Sequence, residues 1–283
     1  MMTGVAGDDV FGDLAEFELD GPLSRTDKAV TAAGWWRGRE AIAKRLTSGE
    51  RHWRKRFAHE VDAYRVFVAC PPDWRVPELF HAGETVLVIE RLPGSPPHTE
   101  RYPLALPEPI VTGLLDALAT FAAWRPPSGP LARQATDWAA RVRRYVADGD
   151  LPAVDQDDLL AAIARAPVSF GHGDPLASNA LVAADGRLTF IDFEFAGLYP
   201  VAADLALLGI WLSRHDPPAE QRCADAARAA GHLAAYRAMR VLWLAREQRL
   251  YRDRIADTDN HSTWIAAQLA EATATFRANA HRA

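Results

Sequence analysis

Two short segments decide the fold of this chain: residues 171–179, which read GHGDPLASN, and residues 190–194, which read FIDFE. Between them, two short apolar runs flank an Ala-Asp-Gly sequence that is typical of a hairpin turn. This pattern predicts that Asp174 lies in a loop just before a β-hairpin, with Asn179 and Asp192 at the two ends of that hairpin. The Asp174 carboxylate and the side-chain oxygens of Asn179 and Asp192 are therefore expected close together.

The residue types at these positions favour phosphoryl transfer. An aspartate in such a loop can accept a hydrogen bond or a proton from an incoming hydroxyl group. Amide and carboxylate oxygens in small number are what Mg²⁺ takes when it keeps water and a substrate phosphate in its coordination shell. A base, an amide ligand and a carboxylate ligand around one hairpin form the layout of a phosphoryl-transfer catalytic loop. For the His-x-Asp sequence taken alone, a turn with a buried histidine is the alternative.

The HGDxxxxN and IDFE sequences closely resemble the motifs of the aminoglycoside phosphotransferase/choline kinase family, a family of protein-kinase-like small-molecule kinases. The resemblance implies that Asp174 is the catalytic aspartate and that Asn179 and Asp192 hold the metal ion. It also implies two supporting roles near the catalytic loop. His172 packs against the loop and braces it, and Asp204, within an Asp-Leu-Ala sequence, steadies it.

The N-terminal third of the chain predicts short strands and one helix. Residues 15–21, 28–36 and 40–46 have the patterns of a three-strand meander. Over residues 52–68, apolar residues recur at spacings of three and four, which predicts an amphipathic helix. Two further strands, ending at residue 91, flank a Gly-Glu turn. This order of elements is the one expected for a nucleotide-binding lobe of the family.

The expected nucleotide-binding residues follow in the order that the resemblance implies. Lys44 lies in the third strand, where a kinase places the lysine that contacts the α- and β-phosphates, and Glu60 on the following helix would orient it. Residues 86–94 resemble the hinge of the family, in which main-chain groups hold the adenine. The corresponding groups here are the Glu90 carbonyl and the Leu92 N–H. A solvated surface charge is the alternative for Lys44 and for Glu60 taken singly.

The loop between the first two strands departs from the usual kinase pattern, because it contains no glycine that would let backbone amides approach phosphates closely. We assign a phosphate-covering role to Ser24, Arg25 and Thr26. The chain also contains only three lysines, whereas arginine supplies the remaining positive charge. A lysine that persists against such a bias can mark a position where a compact ammonium group is needed. The three are Lys28, Lys44 and Lys55.

Beyond a proline-rich polar segment at residues 95–107, the chain is mostly helical. Helical patterns cover residues 108–124, 132–148 and 157–164 and run from residue 218 nearly to the end. The sequence therefore predicts an α+β, bilobal protein-kinase-like fold. We expect an N-terminal nucleotide-binding lobe with an antiparallel sheet and one helix, residues 1–92. A mostly helical C-terminal catalytic and substrate-binding lobe with an inserted catalytic hairpin, residues 93–283, is expected to follow.

The composition excludes several classes of protein. Hydrophobic residues make up 49% and charged residues 24%, as in ordinary globular proteins with a buried core. The net charge of −5 gives no support for a nucleic-acid partner or an anionic membrane surface. Two cysteines are too few for a disulfide framework, the acidic N-terminus is unlike a signal peptide, and no run of about 18 apolar residues predicts a membrane span. We expect a cytoplasmic protein, without a prediction of its oligomeric state.

These features together predict a phosphotransferase that uses Mg²⁺ and either ATP or GTP, with a small hydroxylated molecule as acceptor. Only eleven residues separate Asp192 from Asp204 and no Ala-Pro-Glu sequence follows, which leaves no room for the peptide-binding platform of a protein kinase. A non-catalytic binding module would lack the base, the lysine or a metal ligand, all of which are present. A metal hydrolase is disfavoured because the motif contains a single histidine.

Two classes of acceptor stay open. The first expectation is an antibiotic, either an aminoglycoside or another natural product, whose phosphorylation would confer resistance; the alternative is a metabolite such as a sugar, an amino alcohol or homoserine. A cationic acceptor needs carboxylates, for which Asp253 and Asp257 are candidates, and Trp243 and Tyr251 could stack on a sugar-like ring. The arginine-rich late helical region argues against a cation, so a neutral or mixed-charge natural product fits equally well.

Overall fold

Alternating buried and exposed residues build the N-terminal part of the molecule into one antiparallel sheet. The computed structural model, which describes residues 10–133, 136–253 and 260–280, pairs five strands in the order β1-β2-β3-β5-β4. The strands are β1 (Phe17–Arg25), β2 (Ala29–Trp36), β3 (Arg39–Leu46), β4 (Leu79–Ala82) and β5 (Val86–Glu90). In β3, Ala41 and Ala43 are buried on one face and Lys44 takes the opposite face.

Helix α1 (Arg51–Ala69) follows the meander and links the sheet to the rest of the molecule. Its apolar residues recur at spacings of three and four, so that Phe57, Tyr64 and Phe67 are buried on one face. This face belongs to the same buried cluster as the helices of the C-terminal part. The ring of Phe67 packs edge-on against Phe193, with ring centroids 4.9 Å apart. Helix α1 is therefore anchored next to the segment that carries Asp192.

The C-terminal part is mostly helical, and two short β-pairs are set into it. Its helices are α2 (Glu108–Ala123), α3 (Trp138–Ala147), α4 (Gln156–Arg165), α5 (Ala203–Ser213), α6 (Pro217–Ala229), α7 (Leu233–Asp253) and α8 (His261–Ala280). Its strands are β6 (Val168–Gly171), β7 (Ala180–Val182), β8 (Leu188–Phe190) and β9 (Gly197–Pro200). Strands β7 and β8 form the hairpin predicted between Asn179 and Asp192, and β6 pairs with β9. The α+β prediction is confirmed.

The chain crosses from the sheet to the helical part along the hairpin. Backbone groups of Ser95 and Val182 exchange two hydrogen bonds of 2.9 and 3.3 Å. A Cβ on Gly94 would lie 2.6 Å from the Val182 carbonyl oxygen, and the φ of Gly94, 114°, lies in the region that favours glycine. This close approach fixes the sheet relative to the β7–β8 hairpin.

Several boundaries differ from those that the sequence predicts. Strand β1 continues to Arg25 instead of ending at residue 21, because bulges in this edge strand absorb its Gly-Pro sequence. Helix α3 begins at Trp138 instead of residue 132, because Asp137 caps its first turn. The late helical run is divided into α6, α7 and α8. The β6–β9 pair was not predicted, because two four-residue strands separated by a hairpin carry no periodic signal.

Helix α5 is the apolar element most similar to a membrane segment in composition, but it is eleven residues long. Nearly all of its residues are buried in the core, which explains why it has no polar face. Among the described residues, no helix is long and apolar enough to cross a membrane.

Candidate active site

The loop that carries Asp174 leaves β6 through two glycines that have no space for a side chain. A Cβ on Gly171 would lie 2.9 Å from the Asp204 carboxylate, and a Cβ on Gly173 would lie 2.1 Å from the Tyr199 hydroxyl oxygen. Gly173 also has a φ of 78°, a conformation that other residues rarely adopt. The close packing of the loop therefore requires both glycines.

Asp204 holds the backbone of this loop from the first turn of α5. Its carboxylate accepts hydrogen bonds from the backbone N–H groups of His172, at 2.6 Å, and Gly173, at 3.0 Å. Burial raises the pKa of the Asp204 carboxyl, while these two donors favour its ionised form. Asp204 thus lies in the supporting position that the sequence predicts.

His172 is buried and joins the loop to the far end of the hairpin. Its Nε2 lies 2.9 Å from the carbonyl oxygen of Ile191, and its Nδ1 lies 3.3 Å from the backbone nitrogen of Asp174. One tautomer serves both contacts, since Nε2–H donates and Nδ1 accepts. The ring also packs against Phe190 and Phe193. His172 therefore braces the loop and the segment that follows β8.

Asn179 contacts Asp174 through its amide nitrogen. This nitrogen donates to the Asp174 carbonyl oxygen at 3.0 Å and to the Asp174 carboxylate at 3.3 Å. The amide oxygen is then the atom left to meet a cation. On the other arm of the hairpin, the Ile191 N–H donates to the Asn179 carbonyl at 2.8 Å. The two ends of the hairpin are thereby held together beside Asp174.

Lys44 connects the sheet, helix α1 and the end of the hairpin. Its Nζ lies 2.7 Å from Glu60 Oε2 and 2.7 Å from Asp192 Oδ1. Asp192 has a φ of 65°, a left-handed conformation that costs a non-glycine residue about 1 kcal/mol or more. Residues from a strand, a helix and a hairpin therefore meet in one crevice.

The charges of this cluster stabilise one another. Burial alone would lower the pKa of Lys44, but Asp192 and Glu60 raise it well above its usual range. Burial alone would raise the pKa of Asp192, but Lys44 and Lys28 lower it to about 2. Burial raises the pKa of Glu60 to about 7, although its bond to Lys44 opposes the shift. The ammonium group and the Asp192 carboxylate therefore stay charged at neutral pH.

A second ion pair, which sequence reasoning missed, spans the same crevice. The Nζ of Lys28, in the β1–β2 turn, lies 2.7 Å from the buried carboxylate of Glu194. The ammonium group also lies 5.1 Å from the ring centroid of Trp53 on α1. Two of the three lysines of the chain, Lys28 and Lys44, thus occupy the crevice. The scarcity of lysine in the sequence was the signal that could have found Lys28.

The same carboxylates suit a hard divalent cation. Among the described residues, one oxygen atom each of Glu60, Asp192 and Glu194 lies within 4.8 Å of the others. These three carboxyl groups face two ammonium groups. A few carboxylate and amide oxygens are typical of Mg²⁺ that is bound together with a phosphate. Asn179 and Asp192 are the residues that would hold it.

Comparisons with known proteins agree with this geometry. A sequence model described as the phosphotransferase enzyme family, APH, matches residues 23–242, which is most of the chain. This chain belongs to that family. The match confirms the family predicted from the HGDxxxxN and IDFE motifs, and it makes the protein a phosphotransferase. No curated protein matches the phosphotransferase by sequence.

Solved structures of aminoglycoside phosphotransferases share its fold. The apo form of a thermostable mutant of APH(4)-Ia is 16% identical, with a TM-score of 0.62 over 94% of this chain and 97% of that chain. ADP-bound APH(2'')-Ib is 15% identical, with a TM-score of 0.61 over 94% and 96%. The streptomycin–ATP complex of APH(2'')-IIa is 15% identical, with a TM-score of 0.61 over 97% and 99%. At these identities the likeness establishes the protein-kinase-like fold.

The segment that the sequence predicts to be the hinge lies at the end of β5. The Glu90 side chain is bound by Arg75 and by the Glu78 N–H. The Leu92 side chain is buried, and within the described part of the chain its backbone N–H donates to no protein acceptor. A free N–H at this point is what adenine recognition needs, so the assignment of Glu90 and Leu92 stays a prediction that the backbone permits.

The β1–β2 turn differs from the phosphate-covering loop that the sequence predicts. Ser24 and Arg25 belong to β1, where they pair with β2, because the edge strand is longer than expected. The Thr26 hydroxyl accepts a hydrogen bond from the Lys28 N–H at 3.3 Å and is used in closing the turn. Phosphate contacts by Ser24, Arg25 and Thr26 stay a prediction, while Lys28 is the residue of this turn that reaches Glu194.

The residues predicted to bind the acceptor are not gathered at the crevice. Trp243 and Tyr251 are buried in the core, so neither ring presents a free face to a ligand. Asp253, at the end of α7, accepts a hydrogen bond from Arg252. Asp257 lies outside the described residues. Helical spacing brought the two aromatic rings into the core, which is the usual place for such residues.

The structure instead places an arginine beside Asp174. Arg246 Nη2, on α7, lies 3.6 Å from Asp174 Oδ1. Sequence reasoning used the arginines of this helix only as evidence against a cationic acceptor. Which of them faces Asp174 depends on how α7 packs under the loop, so the sequence alone could not single out Arg246.

Proposed function

We propose that this phosphotransferase transfers the γ-phosphoryl group of ATP or GTP to a hydroxyl group of a small molecule. The observation that carries the proposal is the meeting of Lys44, Glu60 and Asp192 in one crevice, with the Asp174 loop at its edge. Nucleotides in structural neighbours, ADP in APH(2'')-Ib and ATP in APH(2'')-IIa, support a nucleotide donor. In this proposal residues 1–92 bind the nucleotide, and residues 93–283 supply the catalytic loop and the acceptor site.

Asp174 orients the acceptor and takes its proton. Its carboxylate accepts a hydrogen bond from the acceptor hydroxyl group, which directs the hydroxyl oxygen at the γ-phosphorus. As the new O–P bond forms, the bond from the γ-phosphorus to the β–γ bridging oxygen breaks, and the nucleoside diphosphate leaves with that electron pair. The hydroxyl proton passes to Asp174.

The lysine side of the crevice binds the charged donor. Lys44 contacts the phosphates and stabilises their negative charge, and Glu60 keeps the ammonium group in place. His172 and Asp204 keep the loop of Asp174 in its conformation. When bound by Asn179 and Asp192, Mg²⁺ supplies further charge stabilisation on the phosphates.

The short path from Asp192 to α5 supports a small acceptor. After Asp192 the chain enters β9, which pairs with β6, and α5 begins at Ala203. This segment packs against the catalytic loop at Gly173. There the Tyr199 hydroxyl donates a hydrogen bond of 2.6 Å to the Phe195 carbonyl. No part of it extends as a platform for a peptide.

For the acceptor we keep a natural-product antibiotic as the first candidate and a metabolite as the alternative. Solved structures of similar fold contain hygromycin B or streptomycin, which supports a natural-product acceptor in the fold as a whole. With an antibiotic as acceptor, expression of the protein would confer resistance to that compound.

The proposal is tested with the full chain, Mg²⁺ and either ATP or GTP, against panels of antibiotics and hydroxylated metabolites. Mass spectrometry should detect an acceptor that has gained one phosphate, with one nucleoside diphosphate formed per product, and EDTA should stop the reaction. Release of inorganic phosphate without a phosphorylated acceptor would contradict the proposal. So would the absence of nucleotide turnover with every compound.

A further inference from the structure

The acceptor side of the crevice carries positive charge close to Asp174. Arg246, on α7, lies 3.6 Å from the Asp174 carboxylate. Its Nε also lies 3.7 Å from Glu247, but that carboxylate is already bound by two hydrogen bonds from Arg101 and one from Tyr102. Arg246 can therefore bind a further anionic group, on the side from which an acceptor must approach Asp174.

Aromatic rings hold the guanidinium groups of Arg246 and Arg141 in position. Arg246 lies 4.8 Å from the ring centroid of Trp243, and Arg141, on α3, lies 5.0 Å from that of Trp138. The two buried tryptophan rings are perpendicular, with centroids 5.1 Å apart. Stacking on an aromatic ring stabilises a guanidinium group without neutralising its charge. The two arginines thus rest on neighbouring rings and stay available to an anion.

A third arginine, Arg56 on α1, lies close enough to Tyr199 for its charge to act on that hydroxyl group together with the charges of Arg246 and Arg141. Arg56 lies 4.2 Å from the ring centroid of Phe195, whose carbonyl accepts the hydrogen bond from Tyr199. We call Arg56, Arg141 and Arg246 the arginine face. Within the described residues, neither the Arg56 side chain nor the Arg141 side chain has an ion pair or a hydrogen bond. Burial and the charge of Arg246 lower the pKa of Arg141, as expected for cations that lack a counter-ion.

Carboxylates that could bind a cationic acceptor are mostly paired with other arginines of the helical part. The ion pairs are Asp148 and Asp150 with Arg249, Asp155 with Arg277, Glu220 with Arg240, and Glu247 with Arg101. Within the described part of the chain, a polyamine bound next to Asp174 would meet the arginine face. An ammonium group next to several guanidinium groups is repelled.

We infer that the acceptor of this phosphotransferase carries an anionic group, a carboxylate or a phosphate, which Arg246 and Arg141 bind next to the hydroxyl group that faces Asp174. The inference rests on the proposed function and names the class of its acceptor. A carboxylate or phosphate matches the planar fork of a guanidinium group. Binding of this anion by Arg246 also frees the Asp174 carboxylate to accept the hydroxyl hydrogen bond.

The test measures acceptor charge directly in matched sets that share a carbon framework. One set is glucuronate, glucose and glucosamine; a second is glycerol 3-phosphate, glycerol and 3-amino-1,2-propanediol. Any acceptor found by screening is added as its acid, amide and amine forms. The readout is kcat and KM for transfer of one phosphate, with Mg²⁺ and ATP. The carboxylate and phosphate arms show which anion the site accepts.

The acid form should be the best member of each set that is turned over. Loss of one charge-assisted contact is expected to raise KM about 10- to 100-fold in the neutral form, with a smaller change in kcat. Arg246→Gln and Arg141→Gln should raise KM for the acid by a similar factor and leave KM for the neutral form unchanged. If Arg246 served only to position Asp174, Arg246→Gln would instead lower kcat for all forms equally.

Two exposed arginines provide matched controls. Arg143→Gln on α3 and Arg252→Gln on α7 change the charge of the same helices without touching the arginine face, and should leave KM for the acid unchanged. Turnover of neutral or amine forms as good as that of acids would overturn the inference and leave the proposed function standing. Transfer to no compound at all would overturn the proposed function, and the inference with it.

Discussion

The nucleotide side and the acceptor side of the crevice surround their positively charged side chains with different kinds of neighbours. On the nucleotide side, two partly buried lysines lie among three carboxyl groups. On the acceptor side, the arginine face rests on aromatic rings and has few carboxylate partners. The nucleotide side therefore suits Mg²⁺ with the phosphates of a nucleotide. The acceptor side suits an anionic group of the acceptor. Compact ammonium and planar guanidinium groups serve these two tasks differently.

The largest effect should follow from removing the lysine that joins the three elements of the nucleotide side. Lys44→Ala is expected to lower kcat/KM for ATP about 100- to 1,000-fold, because a buried charge aimed at the phosphates is lost. Lys44→Arg should not restore activity, since a planar guanidinium group cannot take the place of a compact ammonium group between Glu60 and Asp192. Steady-state kinetics with varied ATP measure the change.

Lys55→Ala is the control for this substitution, because Lys55 is exposed on α1. It should leave kcat/KM for ATP unchanged. An Lys44→Ala variant with kinetics within a few-fold of the wild type would show that the nucleotide side has been misassigned.

On the acceptor side, the pH dependence of folding stability gives a second test of the charge pairs. Glu247 is a buried acid next to Arg246. Burial alone would raise the pKa of Glu247, but Arg101 lowers it to about 2, below the ordinary value of 4.5. A pKa that is lower in the folded state means stabilisation that is present above pH 4.5 and is lost as the pH falls toward 2. The loss is expected to be on the order of 3 kcal/mol.

Denaturant unfolding at several pH values between 2 and 7, a range chosen around this pKa of about 2, measures the loss. Glu247→Gln should be less stable than the wild type at neutral pH and should show a weaker dependence on acid. Glu271→Gln, at an exposed glutamate of α8, should keep the wild-type dependence. Equal acid dependence in all three proteins would mean that Arg101 and Glu247 are not coupled as described.

A smaller effect is expected for the second lysine of the nucleotide side. The Lys28 side chain is 24% exposed, so its pair with Glu194 is partly screened by solvent. Lys28→Gln should raise KM for ATP about 3- to 10-fold and change the free energy of unfolding by less than about 1 kcal/mol. Isothermal titration with a nonhydrolysable ATP analogue gives the affinity. A loss as large as that of Lys44→Ala would remove the distinction drawn between the two lysines.

Local motifs explain why much of the nucleotide side could be predicted from the sequence. Asp174, Asn179 and Asp192 surround one hairpin, so their spacing along the chain fixes their spacing in the structure. Lys44 and Glu60 could be placed through the family resemblance, since a kinase carries this lysine in the third strand and its glutamate partner on the following helix. In each case the contact depends on neighbouring elements and on a strong periodic or turn signal.

Contacts between distant elements could not be predicted in the same way. The Lys28–Glu194 pair joins residues 166 positions apart, and nothing in the sequence around Glu194 marks it as a partner. The stacking of Arg141 and Arg246 depends on how α3 and α7 meet through Trp138 and Trp243. Periodicity shows that such residues lie on a helix, but not which neighbour the helix contacts.

The role of Asp174 as the group that accepts the hydroxyl proton is tested by comparing Asp174→Asn with Asp185→Asn. Asp185 lies in the exposed turn of the β7–β8 hairpin, so its substitution makes the same chemical change away from the crevice. With Mg²⁺, ATP and an acceptor from the screen, Asp174→Asn should lower kcat by about 1,000-fold or more and keep the affinity for ATP within about threefold, while Asp185→Asn stays fully active. Phosphoryl transfer by Asp174→Asn at a rate close to that of the wild type would contradict this role.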